Sequence, residues 1–195
     1  MNITNYALFP TIVTKVECDL FKYIQGDLTR WIYNYKSKTE GVVHSNRGGW
    51  QSPSDFYNDP SFSEFAEYIV RNANDALCHY TCKFGLDNMW ININRKGDYN
   101  VVHDHPESTI SGVMWIKTPE NCGKLKFRSP HSFVEHSLLE CIDEEVKKKQ
   151  NYCHDFKFAP REGTMILFAS HLLHSVEENQ SDENRISIAF NLKIS

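Results

Sequence analysis

Three of the nine histidines are spaced for metal chemistry. In Val102-His103-Asp104-His105-Pro106 two imidazoles are separated by a single residue. On an extended strand, residues i and i+2 project from the same side, so His103 and His105 can offer two nitrogen donors to one cation while Asp104 turns away. A third donor must come from a distant segment. His174, which opens His174-Ser175-Val176, suits that role better than His171, which falls in the preceding turn. Fe(II), Zn(II), Cu(II) and Ni(II) all favour neutral imidazole. A bulge that turns Asp104 inward in place of His105 is the alternative for the second ligand.

A second constellation follows the first. Eleven residues beyond His174 comes Arg185, with Ser187 two residues later on the same strand face. An arginine fork grips a carboxylate through two parallel hydrogen bonds, and a serine hydroxyl can donate to one of the same oxygens. Asn92, Asn94 and Tyr99, upstream of the histidine pair, could donate to the remaining oxygens of a bound acid or satisfy local turn groups instead.

Positioning these side chains requires a particular scaffold. Phe21, Ile24, Leu28, Trp31, Ile32 and Tyr35 repeat at helical spacing, as do Phe62, Phe65, Ala66, Ile69, Ala73, Ala76 and Leu77. Two amphipathic helices are therefore expected before residue 85. From residue 89 short strand-like pieces take over: 89–94, 100–105, 110–117, 124–128, 155–158, 164–168, 173–177 and 185–193. Met89, Ile91 and Ile93 alternate with Trp90, Asn92 and Asn94, and Ile186, Ile188, Phe190 and Leu192 alternate with Arg185, Ser187, Ala189 and Asn191. Each of these strands has one apolar and one polar face. The expectation is a mainly β chain with flanking helices (α+β), a jelly-roll or cupin-like barrel with a polar interior. One domain over 1–195 is expected, with helical support over about 15–85 and a β-barrel core over about 89–195.

Composition excludes several classes. A chain of 195 residues with 41% hydrophobic and 24% charged residues can bury a core and is no disordered regulator. Its net charge of −4 argues against a protein devoted to gripping phosphate backbones. The alternation of Lys124, Lys126 and Arg128 reads as a solvated strand face before a nucleic-acid groove, and Asp143 to Lys149 as a solvated helix or loop. No apolar run is long enough to span a bilayer, and Met1 to Tyr6 lack the marks of a signal peptide, so a cytoplasmic protein is expected. The six cysteines, including Cys78 and Cys82 on an apparent helical continuation, are expected to be reduced and mostly buried. Trp50, in a Gly-rich loop, is either a packing plug or a pocket lid.

The ensemble of motifs is similar to a known family. Trp90 to Asn94, Gly97-Asp98-Tyr99-Asn100, His103-Asp104-His105-Pro106, Ser111-Gly112-Val113, Pro160 to Gly163, Leu167-Phe168, His174-Ser175-Val176 and Arg185 to Asn191 carry the likeness. Leu8-Phe9-Pro10-Thr11 and Gly49-Trp50-Gln51-Ser52 add to it. The chain resembles the 2-oxoglutarate/Fe(II)-dependent oxygenases of marine bacteria and their phages, with a more distant similarity to prolyl hydroxylases. Only about residues 129–154 look extra or variable. The resemblance implies a double-stranded β-helix, Fe(II) held by His103, His105 and His174, and 2-oxoglutarate held by Arg185 and Ser187. It departs from the wider superfamily in having His103-x-His105 where a histidine and a carboxylate are usual. Three imidazoles, two cosubstrate oxygens and one open position still complete six coordination sites.

The implied activity is a dioxygenase reaction that hydroxylates a substrate and releases succinate and carbon dioxide. Its partners would be 2-oxoglutarate, O2 and an unidentified substrate, a protein side chain or small metabolite before nucleic acid. Two alternatives remain: a three-histidine iron dioxygenase that does not use 2-oxoglutarate, and a non-catalytic barrel that binds a metal or a small acid.

Overall fold

The alternation along the long strands decides the layering. A computed structural model describes residues 2, 9–131 and 137–195; Leu8 of the amino-terminal motif and residues 132–136 of the variable segment lie outside the described residues. β1 (Val13–Glu17), β3 (Trp50–Gln51), β4 (Phe84–Asn94), β6 (Ile110–Lys117), β9 (Thr164–Ala169) and β11 (Arg185–Ile194) form an antiparallel sheet in the order β1-β9-β6-β11-β4-β3. β2 (Asn46–Arg47), β5 (Tyr99–His103), β7 (Leu125–Arg128), β8 (Asp155–Phe158) and β10 (His174–Val176) form a second, ordered β2-β5-β10-β7-β8.

One face of the larger sheet is covered by α1 (Phe21–Lys36) and α2 (Ser63–Ala76). There Ile91, Ile93, Met114, Ile186, Ile188 and Phe190 join Phe21, Leu28 and Ile32 of α1 and Ala66, Ile69 and Ala73 of α2 in one buried cluster. Each fully buried aliphatic side chain of this kind stabilises the fold by about 1.5–3 kcal/mol. The opposite face meets the smaller sheet, where Trp115, Ile166 and Phe168 pack on Leu125, Phe127 and Leu172. The result is three layers, helices on a sheet on a sheet, with the polar faces of β4 and β11 turned into the space between the sheets.

Both predicted helices and all eight predicted strands are present, with ends shifted by a few residues. Phe84 begins β4 five residues earlier than expected, because its first half pairs with the far end of β11. The strands β1, β2 and β3 lie inside the region expected to be purely helical support. They are short edge strands whose pairing partners are remote in sequence, so local periodicity carries no trace of them. The charge run becomes α3 (Glu144–Gln150), capped by the Asp143 carboxylate, which accepts the Glu145 and Val146 N–H groups.

One reading of single residues is corrected, and one pair of alternatives is resolved. α2 ends before Cys78 and Cys82, and only Cys18 and Cys122 are buried, although no cysteine among the described residues forms a disulfide. Trp50 is a plug, not a lid: it packs against the helix-side core, edge-on to Tyr35, and donates to the Thr39 carbonyl at 3.2 Å.

Gly112 marks how tightly the helix-side core is filled. A Cβ there would lie 2.3 Å from Phe190 Cζ and 2.9 Å from Leu167 Cδ2. Gly112→Ala is expected to lower the unfolding free energy by about 1–3 kcal/mol through overpacking. Urea denaturation followed by tryptophan fluorescence measures it, and an unchanged midpoint would contradict the packing described.

Candidate active site

The pairing of β5 with β10 brings the histidines together. His103 stands opposite His174 in register, and His105 lies just beyond the end of β5, its backbone N–H donating to the Ser170 carbonyl at 2.9 Å. Ring centroids are 4.3 Å apart for His103 and His174, 5.1 Å for His103 and His105, and 5.2 Å for His105 and His174. Each contributes a nitrogen, and these nitrogens lie within 4.8 Å of one another. Asp104 and His171 are exposed and outside the cluster. The alternation of a simple strand therefore describes this segment, without a bulge that turns Asp104 inward.

Tautomers are set by the backbone. His103 Nδ1 lies 2.8 Å from the Val101 carbonyl and His174 Nδ1 2.9 Å from the Leu172 carbonyl, in each case two residues back. Donating Nδ1–H to a carbonyl leaves the Nε2 lone pair free for a cation. His105 has no such latch among the described residues; Trp90 flanks its ring at 5.5 Å. Phe168, at 4.8 Å, and Phe127 wall His174 on the other side. Burial pushes all three imidazoles below their ordinary value, His105 to about 4 and His174 to about 3, with the neighbouring His103 adding to both shifts. They are neutral, and so able to ligate, at physiological pH.

The same cavity continues to Arg185. β11 pairs with β4 so that Arg185, Ser187 and Ala189 face Asn94, Asn92 and Trp90 across the ladder, all turned between the sheets. Arg185 is 1% exposed. Its Nη1 donates to the backbone carbonyls of Cys122 and of Glu177, the latter at 3.1 Å, whereas Nη2 has no partner among the described residues. No carboxylate pairs with it among the described residues. Burial lowers the guanidinium to about 10, which still leaves it charged at neutral pH. A buried, charged donor without an anion is costly unless a ligand completes it.

Asn92 and Asn94 line this cavity with Arg185 and Ser187, but Tyr99 does not: it is 41% exposed on the outer side of β5. The cause is a register shift. His174 pairs with His103 while Val176 pairs with Asn100, so β5 carries one extra residue over this stretch and the facing parity switches. Asn100, held by Ser45 at 3.1 Å, occupies the inward position that Tyr99 was expected to take. Asn100, Ser45 and Trp115 were absent from the sequence-derived site. No local signal marks them, because the bulge and the β2 edge are tertiary features.

A sequence model of the family described as "Putative 2OG-Fe(II) oxygenase" matches residues 88–191, more than half of the chain. The chain belongs to this family. This oxygenase also shares its fold with solved structures. A Pseudomonas putida prolyl-4-hydroxylase superposes with a TM-score of 0.62 at 12% identity, over 95% of this chain and 94% of that one. The viral collagen prolyl hydroxylase of Paramecium bursaria Chlorella virus-1, a 2-oxoglutarate complex, gives 0.59 at 14% identity over 94% and 96%. HygX from Streptomyces hygroscopicus, with nickel and 2-oxoglutarate bound, gives 0.65 at 10% identity over 95% and 84%. No curated protein matches by sequence. The two-sheet architecture is thus the double-stranded β-helix of these oxygenases. Residues of the oxygenase fit both groups in the family description: the histidine cluster suits a borderline divalent metal, and the unpartnered Arg185 Nη2 suits the acid.

The lowered imidazole values fix the sign of an acid effect. The unfolded chain takes up protons on these histidines near pH 6.5, whereas the folded one resists until far lower, so stability is full above that pH and declines as pH falls below it. The metal-free protein is expected to melt at a lower temperature at pH 5 than at pH 7.5, a window above the ordinary carboxylate range. A thermal midpoint that holds or rises on acidification would contradict neutral, buried imidazoles.

Proposed function

We propose that this oxygenase couples oxidative decarboxylation of 2-oxoglutarate to hydroxylation of an unactivated C–H bond, with the whole chain acting as one domain. One oxygen atom of O2 enters the new hydroxyl and the other enters succinate, with carbon dioxide released. The observation that carries this reading is the buried Arg185 guanidinium, one nitrogen of which has no partner among the described residues, in the same cavity as three convergent neutral imidazoles.

His103, His105 and His174 would hold Fe(II), and Arg185 with Ser187 would hold the distal carboxylate of 2-oxoglutarate. Iron supplies the oxygen chemistry that amino-acid side chains lack. The chain's own contribution is orientation and exclusion. Arg185 and Ser187 sit on one face of β11 and fix the direction in which the diacid enters, while Trp115, Leu125, Phe168 and Val176 wall the cavity with apolar surface that keeps water out. Three neutral imidazoles leave the metal charge to be balanced by the dianionic cosubstrate. No side chain is needed as a general acid or base.

A protein side chain or a small metabolite fits as substrate better than nucleic acid. Two of the basic residues of the small sheet are already paired, Lys126 with Asp155 at 3.6 Å and Lys157 with Glu177 at 2.7 Å. The absence of a carboxylate from the histidine cluster among the described residues favours, as a second reading, a three-histidine iron dioxygenase that acts without 2-oxoglutarate.

Each of His103→Ala, His105→Ala and His174→Ala is expected to abolish stoichiometric iron binding, whereas His171→Ala and Asp104→Ala keep it. Elemental analysis decides, and full iron in His105→Ala would remove that histidine from the ligand set. Arg185→Gln is expected to weaken 2-oxoglutarate binding about ten- to a hundredfold, and Ser187→Ala several-fold, with iron affinity unchanged. Anaerobic titration of 2-oxoglutarate into the Fe(II) protein, followed by its metal-to-cosubstrate absorption band, reads both. Succinate formation separates this reaction from the 2-oxoglutarate-independent one.

A further inference from the structure

Three buried side-chain atoms lack a hydrogen-bond partner among the described residues: Arg185 Nη2, Asn92 Oδ1 and Gln51 Oε1. They fall in one connected patch. Gln51 stands directly opposite Asn92 in the β3 and β4 pair, and Asn92 stands opposite Ser187 in the β4 and β11 pair. Asn92 lines the cavity and Gln51 does not, which puts Gln51 behind it. Both are more than nine-tenths buried, at 7% and 5% exposure.

A bound 2-oxoglutarate dianion satisfies the guanidinium nitrogen but not the two amide oxygens, since it brings acceptors and no donors. Those oxygens need N–H groups. Directly opposed residues of an antiparallel pair have Cβ atoms about 4.5–5.5 Å apart, within reach of two amide side chains. The structure leaves both oxygens without a partner among the described residues; a closed cyclic pair, in which Asn92 Nδ2–H would donate to Gln51 Oε1 and Gln51 Nε2–H to Asn92 Oδ1, would supply one to each. Both orphaned oxygens would then be satisfied at once, leaving the second N–H of Asn92, which lines the cavity, for a ligand. We propose that Gln51 is a positioning residue that locks the Asn92 amide with its free N–H toward an oxygen of bound 2-oxoglutarate. This rests on the cosubstrate reading above.

The test is a double-mutant cycle on the anaerobic Fe(II) protein, titrated with 2-oxoglutarate and, separately, without it for iron affinity. Gln51→Met keeps the volume and removes both halves of the amide. It is expected to weaken 2-oxoglutarate binding about five- to tenfold while iron affinity stays within about twofold. Asn92→Leu is expected to lose at least as much, and the double variant no more than Asn92→Leu alone, because Gln51 acts only through Asn92. If Gln51→Met does not fold, Gln51→Asn, one methylene too short to reach, carries the same comparison. Wild-type affinity in the Gln51 variant, or losses that multiply in the double, overturns the inference while leaving the cosubstrate reading intact. Failure of the wild-type protein to bind 2-oxoglutarate overturns both.

Discussion

A positive charge kept in the space between two sheets, with no ion-pair partner among the described residues, organises this molecule. Arg185 is held by two backbone carbonyls, those of Cys122 and Glu177, on the segments that precede β7 and follow β10. Carbonyl dipoles orient a guanidinium but do not neutralise it, so the interior keeps a standing demand for an anion. The surrounding structure is consistent with that demand: Asp155 and Glu177 pair with lysines of the small sheet, the buried Asp98, whose charge is felt at Arg185, is engaged by Arg95, and the cavity residues beside Arg185 on β4 and β11 are the neutral Asn94, Asn92 and Ser187. A single inward carboxylate would satisfy the arginine permanently and close the site to an exogenous acid.

The layering makes such a cavity affordable. The larger sheet commits its apolar face to α1 and α2, where Ile69, Ile32 and Ile188 are wholly excluded from solvent. Stability gathered there releases the other face from having to be a hydrophobic core throughout. The space between the sheets is accordingly divided, apolar around Trp115, Phe127 and Phe168, and polar along β4 and β11.

Much of this was legible in the residues. The strict alternation in Met89 to Asn94 and Arg185 to Leu192 has a period of two, so strand, face and inward-pointing set follow from the order of residues alone. His103 and His105 were legible for the same reason. Tyr99 was misplaced because the extra residue in β5 is defined only against its partner β10, and a change of parity leaves no mark in either strand by itself. Gln51 was read as part of a loop, since a two-residue strand has no periodicity to detect; only its pairing with β4 puts it behind Asn92. Local alternation thus carried the long central strands, while edge strands and bulges depended on contacts between distant segments.

The unequal anchoring of the three imidazoles has a consequence for how a cation is received. His103 and His174 are each tethered to their own backbone through Nδ1, so two of the donors already hold the orientation and protonation state that coordination requires. His105 is placed by its main-chain link to Ser170 and by the flank of Trp90, with no backbone latch on its ring among the described residues. The entropy lost on coordination is therefore concentrated in one side chain. The two tethered rings form a preformed cleft, and the third donor is the one whose ring orientation coordination itself must set.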